Sequence, residues 1–119
     1  YGGAIAVCGG KLTVSGTTFK SNVATKASGA AIYVRTNSSA TITDVSASGG
    51  TWGYKGEIYV TGGARATFGG SVSVSGTQPI FVTGSATTAI VNYSTDAEKA
   101  AWQAAITAAS SATITYVAK

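Results

Sequence analysis

Gly29-Ala30-Ala31-Ile32-Tyr33-Val34 ends in a triplet that the chain repeats, as Ile5-Ala6-Val7, Ile58-Tyr59-Val60 and Ile80-Phe81-Val82. The Ile positions step by 27, 26 and 22 residues, and self-similarity at such periods is the mark of stacked architectures. A second column follows the first: Leu12-Thr13-Val14, Ala40-Thr41-Ile42, Ala66-Thr67-Phe68 and Thr88-Ala89-Ile90, with steps of 28, 26 and 22 residues from Val14 to Ile90. Two columns that share one drift describe successive coils of a single unit. Alternate side chains of an extended strand face opposite ways. Ile and Val of each triplet therefore point inward, and Ala6, Tyr33, Tyr59 and Phe81 point outward. Strands this short cannot bury a face alone, but stacked coils build a continuous aliphatic core. Gly9-Gly10, Gly16, Gly49-Gly50, Gly62-Gly63 and Gly69-Gly70 separate the strand segments, where corners need tight bends or positive φ. The expected fold is all-β: a short right-handed parallel β-helix, or solenoid, of about four coils. An antiparallel β-sandwich is the alternative, but it gives no reason for the recurring Ile-x-Val frame.

The tail departs from this frame. Thr95 stands three residues before Glu98, the spacing of a capping box, and Asp96 and Glu98 suit the positive end of a helix dipole. Ala101, Trp102, Ala105, Ile106 and Ala109 share one helical face. The pattern predicts a helix over 95–109 and a final strand over 112–117, with Trp102 as a core plug. A helix laid across the last coil would cap an open solenoid end. We therefore divide the chain into coils over 1–93 and a helix-strand cap over 94–119, within one domain.

Composition narrows the function. The 119 residues include 16 Gly, only 10% charged side chains, one Cys and no His or Met. One domain is the default at this length, and the Val, Ile and Thr runs argue for β-structure over disorder. The net charge of +4 comes from Lys and Arg scattered singly, which is not the clustered basic face that nucleic acid requires. With Cys8 the lone thiol and no imidazole, no thiolate or imidazole metal site is expected, and no cofactor either. No stretch approaches the roughly 20 apolar residues of a membrane span. The opening Tyr1-Gly2-Gly3 without a Met suggests a processed product or a piece of something longer.

The segment Thr18-Phe19-Lys20-Ser21-Asn22-Val23-Ala24, followed by Gly29-Ala30-Ala31-Ile32-Tyr33, resembles the repeat of polymorphic outer-membrane proteins and related adhesin-like β-helices. There a Phe-x-x-Asn segment precedes a Gly-Gly-Ala-Ile segment. Gly2-Gly3-Ala4-Ile5 matches the second half in full, and Gly29-Ala30-Ala31-Ile32 matches it with one Gly replaced by Ala. The motif covers roughly residues 1–34, and later coils keep only Ile-x-Val. The resemblance implies a right-handed parallel β-helix at a cell surface, with the Phe in the core and the Asn at a corner, and no particular ligand. Methanogen surface proteins carry similar repeats, so an envelope or sheath subunit is a variant of the same reading.

Enzymatic function is not expected. Glycan-degrading β-helices need converging carboxylates or a metal, whereas Asp44 and Glu57 occupy different places in their coils and Asp96 and Glu98 sit in the first turn of the predicted helix. An ice-ordering face is not expected either, because the outward column Thr13, Thr41, Thr67 breaks at Ala89. The reading is an extracellular or cell-surface structural or adhesive protein that self-assembles, as a homo-oligomer or polymer, into a fibre, sheath or stalk. Its rival is a carbohydrate- or protein-binding module using an exposed ladder of Tyr33, Tyr59 and Phe81, about 4.8 Å apart per coil. Such a ladder would stack on sugars, pack against a neighbouring subunit, or lie under the C-terminal segment. Cys8, outward by parity, is a candidate intermolecular disulfide, a buried structural thiol being the alternative. Asn37-Ser38-Ser39 and Asn92-Tyr93-Ser94 offer Asn37 and Asn92 as glycosylation sites, or as plain turn residues.

Overall fold

The computed structural model describes residues 4–24, 29–52, 56–74, 79–109 and 111–119. Gly2 and Gly3 of the first motif lie outside the described residues. The first coil runs through β1 (Ile5–Cys8), β2 (Lys11–Ser15), β3 (Thr18–Lys20) and β4 (Val23–Ala24). The second runs through β5 (Ile32–Arg35), β6 (Ser39–Ser48) and β7 (Thr51–Trp52), and the third through β8 (Ile58–Val60) and β9 (Arg65–Val74). In the fourth, β10 (Ile80–Thr83) and β11 (Thr88–Tyr93) precede helix α1 (Asp96–Ala105), after which β12 (Ile106–Ala109) and β13 (Thr113–Ala118) form a fifth level.

All strand pairs are parallel. One sheet has the order β1-β5-β8-β10-β12, a second has β13-β11-β9-β6-β2 with β3 also paired to β6, and β4 and β7 form a third, two-stranded sheet. This is the expected solenoid. The register sets Ile5, Ile32, Ile58, Ile80 and Ile106 in one column and Val7, Val34, Val60, Val82 and Ala108 in another. Ile32, Val34, Ile58, Val60, Ile80 and Val82 are all buried in one core with Ile42, Phe68, Val91 and Trp102. Their burial is the main term holding the coils together, since each fully buried aliphatic side chain contributes roughly 1.5–3 kcal/mol.

β6 and β9 are long because each turns a corner without breaking its ladder. The register shifts between Thr43 and Val45. The bulge residue Asp44 has φ 50°, stacked between Gly16 at 58° and Gly70 at 70°. Asp44 tolerates this left-handed conformation because its Oδ1 accepts the Ser71 N–H at 2.9 Å on the next coil. At the corner between the two sheets, buried Ser38 accepts the Gly9 N–H at 2.6 Å and Thr87 Oγ1 accepts the Gly63 N–H at 3.0 Å. Short hydroxyl side chains thus satisfy corner amides that the ladders leave over.

Two sequence expectations need correction. In the second column Phe68 pairs with Val91, and Ile90 pairs with Thr67. The fourth coil is therefore one residue out of the register read from Thr88-Ala89-Ile90. The cause is a longer corner: eight residues separate Ile80 from Thr88, against seven from Ile58 to Arg65. A slip of one residue exchanges inward and outward faces, so Val91 is buried in place of Ile90. Second, the helix ends at Ala105, and 106–109 is strand, because Ile106-Thr107-Ala108-Ala109 pairs residue for residue with β10. The C-terminal helix and final strand are present as expected: α1 packs chiefly beside β9 and β11, and β12 and β13 follow it as a further level.

Candidate interaction surface

Tyr33, Tyr59 and Phe81 are register partners on the outer side of the first sheet. Their rings stack at 5.4 Å and 5.8 Å with interplanar angles of 12° and 10°. The three residues are only 7%, 9% and 6% exposed, and Ala109 of β12 packs against them. The alignment matches the sequence reading, but the expected exposure does not. The ladder is a second apolar cluster outside the solenoid core, and no open stacking platform is presented. Sequence parity reports which way a side chain points, not what covers it.

The outer face of the second sheet has the opposite character. Its central column runs Thr13, Thr41, Thr67, Ile90 and Thr115, with Lys11, Ser39, Arg65, Thr88 and Thr113 on one side. The break in the threonine column is thus Ile90, not Ala89, and Thr115 resumes it. Small hydroxyl side chains with one interrupting aliphatic make a low-charge, nearly featureless wall.

Three of the four carboxylates, Asp44, Glu57 and Glu98, accept backbone hydrogen bonds. Asp44 holds the corner described above. Thr95 caps α1 by accepting the Glu98 N–H at 3.1 Å, while Glu98 Oε1 accepts the Ser94 N–H at 2.9 Å, so the predicted cap is present with its reach extended to the residue before Thr95. Glu57 is 1% exposed; its Oε2 accepts the Gly50 N–H at 2.9 Å and its Oε1 has no partner. Burial pushes its pKa up, and the Gly50 bond offsets that only in part. Glu57 left no sign of this role in its sequence position, because it stands in a column beside Ala31. Among the described residues no group of three His, Cys, Asp or Glu side chains gathers, and no helix is long and apolar enough to cross a membrane.

Trp102 is fully buried, with its ring 5.1 Å from Phe68 and its indole N–H donating to the Gly70 carbonyl at 2.9 Å. It plugs the core as expected, from the side. A cleft of about 310 Å³ beside it, between Val72 and Val74 of β9, Pro79 and Ala101 of α1, has no titratable side chain in its lining. Cys8 is exposed at the end of β1. Asn37 is exposed in a turn at φ 56°, whereas Asn92 is partly buried within β11. That leaves Asn37 the more accessible of the two sequons.

The remaining surface feature is the pair of coil ends. Among the described residues β1 and β2 have strand neighbours on one side only, and so do β12 and β13. Ile5 and Leu12 at one end, and Ala112, Ile114 and Tyr116 at the other, are only partly buried against the core. Comparison with family models, curated proteins and solved structures gives no match. What the chain does must therefore be argued from these surfaces.

Proposed function

We propose that the chain is a non-catalytic structural or adhesive element of a cell surface, which self-associates into a fibre, sheath or stalk. The observation that carries this reading is the pair of parallel ladders, each ending, among the described residues, in strands with one side unpaired and with partly buried core residues. Unpaired parallel edges are templates for a further strand. The flanking wall of short hydroxyl side chains is the kind of surface that packs side by side without strong charge repulsion. Asp44, Glu57 and Glu98 are spent on corners, burial and a helix cap, which speaks against paired acid-base chemistry. The placement at an outer surface rests on the resemblance to polymorphic outer-membrane repeats. In its favour, Phe19 is buried in the core and Asn22 sits just beyond β3 at a corner, the positions that the resemblance implies.

The aromatic ladder no longer recommends the glycan-binding alternative, since its rings stack on each other and are covered. The test is light scattering over a concentration series, followed by negative-stain microscopy of the 119-residue chain. Filaments, tubes or sheets are expected. A monodisperse monomer at every concentration overturns the proposal.

A further inference from the structure

We propose that the partner in this assembly is a second copy of the chain, bound head to tail, with β12 and β13 of one copy pairing in parallel with β1 and β2 of the next. The inference rests on the self-associating reading and goes beyond it by naming the edges, their polarity and their register. Every pair in both sheets is parallel and in line with one column order, so a copy added at either end continues both ladders without reversing a strand. The lengths suit each other: four residues in β12 face four in β1, and six in β13 face five in β2. α1 packs chiefly beside β9 and β11, and among the described residues no strand pairs with the far side of β12 or β13.

The side chains agree with the backbone. Extending the observed columns by one level sets Ile5 on Ile106 and Val7 on Ala108, with Leu12 on Ile114 and Val14 on Tyr116. Ile5, Leu12, Ile114 and Tyr116 are partly buried, and the contact would complete their burial. Lys11 falls on Thr113, so no like charges meet. A contact between two β1 edges would instead run antiparallel and, at full overlap, set Cys8 of one copy opposite Ile5 of the other. It would also close as a dimer, whereas a head-to-tail contact repeats without closing. Five levels per copy at the usual strand spacing give an axial repeat of about 24 Å.

The register supplies its own test, because Cys8 of one copy falls on Ala109 of the next. In-register neighbours lie about 4.8 Å apart, within the Cα separation that a disulfide accepts. Within one copy, β1 and β12 are the two ends of the five-strand order, too far apart for an internal link. Ala109→Cys under mild oxidation is expected to give a ladder of covalent multimers that collapses with reductant and is lost in Ala109→Cys/Cys8→Ser. The wild type is expected to form no disulfide. Ala6→Pro is the second variant. The Ile5 N–H points to Ala31 on β5, so by alternation the Ala6 N–H points to the free side. Proline there preserves the coil and is expected to abolish the ladder. Wild-type Cys8–Cys8 dimers, or multimers by light scattering that Ala109→Cys does not link and Ala6→Pro does not disperse, overturn the head-to-tail contact while leaving self-assembly standing. Monomer throughout overturns both.

Discussion

A buried carboxylate with one oxygen unpartnered binds its proton more tightly than it does in water, and Glu57 is such a group. Burial raises its pKa above the ordinary value of 4.5, so over the window between those two values the folded chain holds a proton that the unfolded chain has released. Stability is then fullest below the ordinary value and falls as pH rises from there through the raised one. Glu57→Gln retains an acceptor for Gly50 and cannot ionise. Its melting temperature should match the wild type near about pH 4 and exceed it at about pH 7, where the wild type bears the cost of a buried charge. Equal pH slopes for the two proteins would refute this account. A second residue-scale outcome concerns the corner column. Gly70 sits at φ 70°, and a Cβ there would run into the Asp44 carboxylate, whereas Gly10 has open space around it. Gly70→Ala should cost about 1–2 kcal/mol from the left-handed backbone alone, and more from the contact. Gly10→Ala should change urea unfolding little. Neither Glu57 nor Asp44 announced its role in the sequence, because both roles depend on which residue of the neighbouring coil comes alongside.

Elements were more legible than residues, and the reason is periodicity. The Ile-x-Val triplets gave strands, direction and core together, because parallel stacking demands that like residues recur in register. The fourth coil was misread by one residue because its corner is longer, and length variation in corners leaves no trace in a hydrophobic pattern. The helix was recognisable from Thr95 to Glu98 at its start, but its end was not, since Ile106 and Ala109 suit a helical face as well as a strand. Pairing with β10 decided the matter. The docking of α1 beside β9 depends on Trp102, which provides both a ring contact with Phe68 and a hydrogen bond to Gly70. Trp102→Ala should therefore cost about 3–5 kcal/mol and release the helix, seen as loss of near-ultraviolet circular dichroism together with part of the helical signal. Trp102→Phe keeps most of the packing and forfeits the indole bond, a loss of about 1 kcal/mol. If the two variants melt alike, the ring contact is not what holds the helix.

Among the described residues strand pairing joins each coil to the next along the axis, so stability is distributed along the solenoid axis rather than gathered at one centre. Ile58 lies between Ile32 and Ile80 and is fully buried, while Ile5 has a single column neighbour, Ile32, and is only partly covered. Truncating Ile58 to Ala leaves a cavity with coils above and below it and should cost about 2–5 kcal/mol. Truncating Ile5 removes surface that is already half solvated and should cost about 1 kcal/mol in the monomer. Assembly changes only the second figure. In a head-to-tail contact Ile5 lies on Ile106 of the next copy, so association covers it, and linkage makes its loss more costly as protein concentration rises. Guanidinium unfolding at a low and a high protein concentration separates the two sites. The Ile58→Ala midpoint should trail the wild type by the same interval at both concentrations. The Ile5→Ala midpoint should trail by little at the low concentration and by more at the high one, because the variant loses the stabilisation that the wild type gains on association. An Ile5→Ala deficit that is constant with concentration would mean that this edge stays exposed in whatever assembly forms, and that the coils meet their partners along the flank.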